Sequence, residues 1–119
     1  MAITLSIDAM GGDSGLDVTI PACVKFLKEF LNVNLTLVGD EVAIKQSLGN
    51  NLDLYQSRIN IVSSTQIVAM DELPQIAMRK RSSSMRLAIN EVKDGRASAV
   101  VSAGNTGALM ATARYVLRT

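Results

Sequence analysis

Two glycine-rich stretches hold most of the residues whose types and spacing suit chemistry. The first is Asp8-Ala9-Met10-Gly11-Gly12-Asp13-Ser14-Gly15, and the second is Ser102-Ala103-Gly104-Asn105-Thr106-Gly107-Ala108. The second is the better anion site. Unpaired N–H groups at a helix start, together with the positive end of the helix dipole, attract phosphate. Gly104 and Gly107 let a ligand approach the backbone closely, and Ser102, Asn105 and Thr106 add short hydrogen-bonding side chains. An ordinary helix start capped by Asn or Thr satisfies the same pattern, so the spacing alone leaves both open.

The first stretch invites a dinucleotide-binding reading and does not fit it. A Gly-x-Gly-x-x-Gly fingerprint ending at Gly15 needs glycine at position 10, where Met10 stands. Asp40 follows the second apolar run and could imitate the ribose-binding acid, although a turn aspartate is common for local reasons. Asp8 and Asp13 have the chemistry of metal ligands or of an acid and a base. Side chains in such turns more often hold loop amides in place, and that role is expected of Asp8.

Elsewhere the chemistry is thin. Arg79-Lys80-Arg81 with Arg86 is the dense basic patch, and beside Ser82-Ser83-Ser84 it could hold a phosphate or meet an acidic partner. A solvated helix end explains it equally. The chain has no histidine, which removes a Ser-His-Asp triad, a His base and His-ligated metal. Its one cysteine, Cys23, lacks a Cys or His companion for zinc and reads as a small buried residue. No metal site and no cofactor are expected.

The elements that must position these turns follow from hydrophobic periodicity. Ile3 to Asp8 alternates as a strand. A helix from about Asp17 to Leu31 carries Ile20, Val24, Leu27 and Leu31 on one stripe, with Pro21 placed in its first turn. Leu35–Val38 and Ile59–Val62 are short strands, separated by a helical stretch from Val42 to Leu48. Pro74 opens a short helix to about Lys80, and the serine triplet supplies the N-cap of another that ends at Gly95. Ala97–Ser102 reads as a strand buried on both faces, and Ala108–Leu117 as a last helix.

Strands alternating with helices imply βαβ crossovers and a mostly parallel sheet with helices on both sides. The expectation is one α/β domain over residues 1–119. The final helix lacks a designed stop, and a four-stranded parallel sheet leaves an edge to cover, so truncation is expected. Composition agrees: 48% hydrophobic and 19% charged residues supply a core, and a net charge of +1 gives no global pull toward nucleic acid or anionic membrane. No run approaches the ~20 apolar residues of a membrane span, and Asp8 comes too early for a signal peptide. A cytoplasmic location is expected.

Taken in order, Asp8-Ala9-Met10-Gly11-Gly12-Asp13, then Arg79 through Ser84-Met85-Arg86, then Ser102-Ala103-Gly104-Asn105-Thr106-Gly107-Ala108-Leu109-Met110 closely resemble the PlsX family of phosphate acyltransferases. The first turn departs from the family's usual Gly-Pro, reading Gly15-Leu16. The resemblance covers the N-terminal region of a longer architecture. It implies a three-layer α/β/α sandwich akin to phosphotransacetylases and isopropylmalate dehydrogenases. It implies transfer of a fatty acyl group from acyl carrier protein to inorganic phosphate, by a cytoplasmic homodimer loosely associated with the inner face of the membrane. On this reading Asn105, Ser102 and Lys80 are the catalytic candidates. Gly104, Thr106 and Gly107 complete the phosphate cradle, and Asp8, Gly11, Gly12 and Asp13 shape the adjoining wall. Arg81 and Ser84 join the substrate-binding set, with Lys80 or Arg81 neutralising charge or meeting the acidic carrier. A nucleotide-cofactor oxidoreductase domain and a non-catalytic phosphate-binding module are the alternatives.

Overall fold

The alternation Ile3-Thr4-Leu5-Ser6-Ile7-Asp8 sends Leu5 and Ile7 to one face and Ser6 to the other, and it forms β1 over Ile3–Asp8. The computed structural model describes residues 2–12 and 14–118. After β1 come α1 (Leu16–Glu29), β2 (Val33–Gly39), α2 (Glu41–Leu48), α3 (Asn51–Leu54), a 3-10 turn (Gln56–Arg58) and β3 (Ile59–Ser63). The remainder is α4 (Pro74–Ala77), α5 (Ser84–Lys93), β4 (Ala99–Ser102) and α6 (Thr106–Leu117). The sheet is parallel throughout, in the order β3-β2-β1-β4. The expected parallel α/β architecture is therefore present.

Helices flank both faces. On one side Ile7, Ile20, Leu27, Leu35, Leu37 and Ile44 form the larger core, between α1, α2 and the sheet. On the other, Met85 and Ile89 of α5 meet Ala108 and Val116 of α6. Here Ser6 lies under α5 and donates from Oγ to the Ala88 carbonyl at 2.8 Å, which satisfies a fully buried hydroxyl. Ser83 caps α5 by accepting from the Arg86 N–H at 3.0 Å, and Gly95 takes φ +80° beyond its end, as the sequence suggests.

Several boundaries differ from expectation. α1 starts and stops earlier than its periodicity suggests, so Leu31 lies beyond it and is 76% exposed. The cause is Arg58, whose guanidinium donates to the carbonyls of Leu27, Phe30 and Val33 and so closes the helix end. Pro21 consequently falls in the second turn, where it is tolerated because that face is exposed and water can serve the unpaired Asp17 carbonyl. α4 ends at Ala77 instead of near Lys80. β4 is not buried on both faces. It is an edge strand, and Val101 is 51% exposed above an apolar trough lined by Leu5, Ile7, Ala22, Cys23 and Phe26.

Cys23 is buried on the inner face of α1, and burial pushes its thiol from 9.0 up to about 11. The unfolded chain therefore loses this proton first as pH rises. Stability from the buried thiol is fully present below pH 9.0 and is lost as pH climbs toward about 11. At pH 8 the native thiol should react with a maleimide about 100-fold more slowly than in urea, since two units of pKa remove that much thiolate. Equal rates in both states would contradict the burial.

Candidate functional site

The strand order creates a crevice. From β1 the chain moves outward to β2 and β3, and β4 then pairs on β1's other side, so the topology reverses between β1 and β4. Connections leaving two such strands diverge, which opens space beyond their carboxyl ends. Asp8 and Ser102 are register partners at those ends. Both glycine-rich turns thus start at one point in the fold, although 94 residues separate their first members.

Contacts between the turns are direct. Ser102 Oγ donates to Asp8 Oδ2 at 2.9 Å and accepts from the Gly104 N–H at 3.1 Å. Asp8 Oδ1 also accepts from the Met10 N–H at 3.3 Å, so this carboxylate shapes its own turn and ties it to the second. Gly11 lies against Gly104: a side-chain carbon at Gly11 would sit 2.9 Å from the Gly104 nitrogen and 2.9 Å from Asp8 Oδ2. Gly12, at φ +89°, lies over the Ala103 carbonyl in a conformation that L side chains disfavour. Asp13 lies outside the described residues.

Asn105 begins α6. Its Oδ1 accepts from the Ala108 N–H at 3.1 Å, which is the capping pattern. Its Nδ2 donates to the carbonyls of Ala69 at 3.1 Å and Glu72 at 2.7 Å. The side chain is thus committed to cap and loop, and what faces outward is backbone. Thr106 and Gly107 are exposed in the first turn of α6, and their N–H groups find no protein acceptor among the described residues. These amides and the helix dipole make the turn suited to an oxyanion.

Lys80 reaches the same region from the other side. Its Nζ pairs with Glu72 Oε1 and donates to the Ile67 carbonyl at 3.0 Å. Lys80 therefore secures the 67–72 loop that Asn105 also holds. The hydrogen bond from Lys80 keeps the Glu72 carboxyl below its ordinary 4.5. A lowered pKa in the folded state gives stability that is present above 4.5 and is lost as pH falls. Protection of the Ala69 N–H, which donates to Glu72 Oε1, should fall below that pH relative to the unstructured exchange rate at each pH, and do so less in Glu72→Gln. Unchanged protection down to pH 3 would overturn this link.

Ser84 is buried in the first turn of α5, with its N–H bonded to the Gln66 carbonyl, and does not open onto the crevice turns. Arg81 is exposed beside it. The structure thus brings together Asp8, Gly11, Gly12, Ser102, Gly104, Asn105, Thr106 and Gly107, whereas Lys80 is bonded to the 67–72 loop, Arg81 is exposed and Ser84 is buried. Sequence reasoning missed Glu72 and Met85. Met85 supports Gly104 from below, where an added side-chain carbon would lie 3.2 Å from Met85 Cε.

The dinucleotide alternative gains nothing from the geometry. Met10 fills the space over Gly39, and Asp40 caps α2 by accepting from the Ala43 N–H at 3.2 Å. Among the described residues no group of acidic, Cys or His side chains is arranged to hold a metal. No helix among them is long and apolar enough to cross a membrane.

Residues 3–119 match the family described as fatty acid synthesis protein. The chain belongs to this family. It is 55% identical to a phosphate acyltransferase of Chromobacterium violaceum over 120 residues, covering all of this chain and 35% of that protein. It is 55% identical to a phosphate acyltransferase of Neisseria meningitidis serogroup B, covering 98% of this chain and 33% of that protein. A phosphate acyltransferase of Legionella pneumophila strain Paris is 56% identical over 98% of this chain and 34% of its own length. The chain thus spans about a third of the length of the relatives it matches.

Proposed function

We propose that residues 1–119 form an α/β domain that supplies the phosphate-binding half of an acyl-phosphate-forming transferase. The observation that carries this is the meeting of two glycine turns at the β1–β4 crevice, with free α6 amides beside it. Phosphate at neutral pH is already an anionic nucleophile, so attack on a thioester carbonyl needs no Ser-His pair. A phosphate oxygen forms the new C–O bond, the C–S bond breaks, and the thiolate takes a proton from solvent. The protein's contribution is to hold phosphate in line and stabilise the developing oxyanion.

Within this reading the Thr106 and Gly107 amides hold the phosphate and Gly104, Gly11 and Gly12 allow its approach, while Ser102, whose hydroxyl is given to Asp8, braces the two turns. Asp8 and Asp13 shape the wall. Asn105 and Lys80 position the α6 start and the 67–72 loop. The acyl donor is acyl carrier protein, and the fold is the three-layer arrangement of phosphotransacetylases and isopropylmalate dehydrogenases. The working enzyme is a cytoplasmic homodimer that touches the membrane peripherally. The named relatives support the activity, and the crevice geometry supports the site.

The test is a phosphate titration of isotope-labelled full-length protein, followed by backbone amide shifts, beside an assay of acyl-thioester cleavage. Saturable shifts at residues 102–107 and phosphate-dependent cleavage are expected. Cleavage that proceeds equally without phosphate would sink the reaction. Phosphate binding with shifts elsewhere would sink the site.

A further inference from the structure

Another concavity of ≈ 490 Å³ opens between α4, α5 and α6, lined by Gln75, Met78, Arg79, Arg81, Arg86 and Tyr115. Three guanidinium groups meet there without a carboxylate: among the described residues none of the three forms an ion pair. Arg86 is held in place. It donates from Nη1 to the Met78 carbonyl at 3.1 Å, and its guanidinium carbon lies 5.5 Å from the centre of the Tyr115 ring. Its Nε is buried and has no acceptor among the described residues. Like charges gathered on an ordered wall repel one another, and an anion in the concavity would relieve that repulsion.

We propose that this pocket binds the phosphate group of a phosphate ester. The three guanidiniums supply fork-shaped donors that match phosphate oxygens, and Gln75 adds an amide. The Tyr115 ring and Met78 give an apolar wall for the group that the phosphate esterifies, for which a bare phosphate has no use. The volume also exceeds what one phosphate fills. The pocket extends away from the crevice along α6: its near end is at Gln75, next to the Pro74 that lies against Gly107, and its far end is at Tyr115, nine residues from Thr106 and about 14 Å at 1.5 Å per residue. A ligand anchored here can therefore reach toward the glycine turns without occupying them. The assignment rests on the pocket's own residues and stands whether or not the crevice binds phosphate.

The experiment titrates the labelled full-length protein with glycerol phosphate and, separately, with inorganic phosphate, reading the Arg86 Nε–H signal and the Tyr115 amide. Glycerol phosphate should shift both saturably and bind more tightly than inorganic phosphate. Arg79→Ala and Arg81→Ala alter exposed side chains and keep the fold, and each should weaken binding about tenfold, the loss expected for a hydrogen bond to a charged group. Shifts confined to residues 102–107 would overturn the proposal while leaving the crevice reading intact. Inorganic phosphate binding with glycerol phosphate excluded would overturn the ester assignment. A response only to a glutamate-rich peptide would make the patch a protein-docking surface and also overturn it.

Discussion

Gly11→Ala should destabilise the protein by about 1–3 kcal/mol, the usual cost of forcing an extra carbon into a filled site. In the full-length enzyme it should also lower phosphate-dependent acyl transfer at least 100-fold. The added carbon would meet the Gly104 nitrogen at 2.9 Å, Asp8 Oδ2 at 2.9 Å and Ser102 Oγ at 3.1 Å. None of these can step aside alone. The nitrogen is backbone, and the two oxygens are bonded to each other. Relief requires the two turns to separate, which breaks the Asp8–Ser102 bond and displaces the start of α6. A displacement near 1 Å is enough to cost about 100-fold where catalysis rests on positioning. Gly104→Ala is the informative contrast, because its nearest obstacles, the flexible end of Met85 and Ser102 Oγ, both lie at 3.2 Å, farther than the 2.9 Å contacts met at Gly11. It should cost less stability than Gly11→Ala. Urea midpoints and initial rates measure both effects. A Gly11→Ala protein within 0.5 kcal/mol of the parent and fully active would show that the turns do not need this contact.

What sequence periodicity resolves is local, and the site depends on pairings that are not local. β1 and the Ser83 and Gly95 caps are legible because each is fixed by residues within a few positions. The glycine turns are legible as turns for the same reason. That they touch follows from β4 pairing with β1 instead of β3, and no alternation pattern encodes strand order. The same holds for Arg58, which reaches 25 to 31 residues back to close α1. Lys80 reads as a free charge for a substrate and is instead paired to Glu72. β4 misleads in the other direction. Its apolar residues suit burial on both faces, but the described chain covers only one, so Val101 looks onto an open trough. Family resemblance singles out the two turns that the fold brings together, while the division between residues proposed to touch phosphate and residues proposed to aim them has to come from geometry.

Asn105 shows that division most sharply, and its replacement should have the second large effect. Asn105→Ala removes the α6 cap, worth about 1 kcal/mol. It also strips the donor from the Ala69 and Glu72 carbonyls, each partly shielded from water. A total loss of about 2–4 kcal/mol is expected, with the 67–72 loop loosening first. Asn105→Ser separates the two contributions, since serine caps a helix but is too short to reach the loop. The serine variant should recover about the capping energy and little else. If Asn105 acts by aiming the α6 amides, the serine variant should keep phosphate binding within a few-fold, and alanine should raise the phosphate KM well above that. A side chain that contacted phosphate itself would give the opposite pattern, with alanine as stable as the parent and both variants equally impaired. Denaturation midpoints and phosphate KM, measured on the same three proteins, therefore decide whether Asn105 belongs to the cradle or to the frame that holds it.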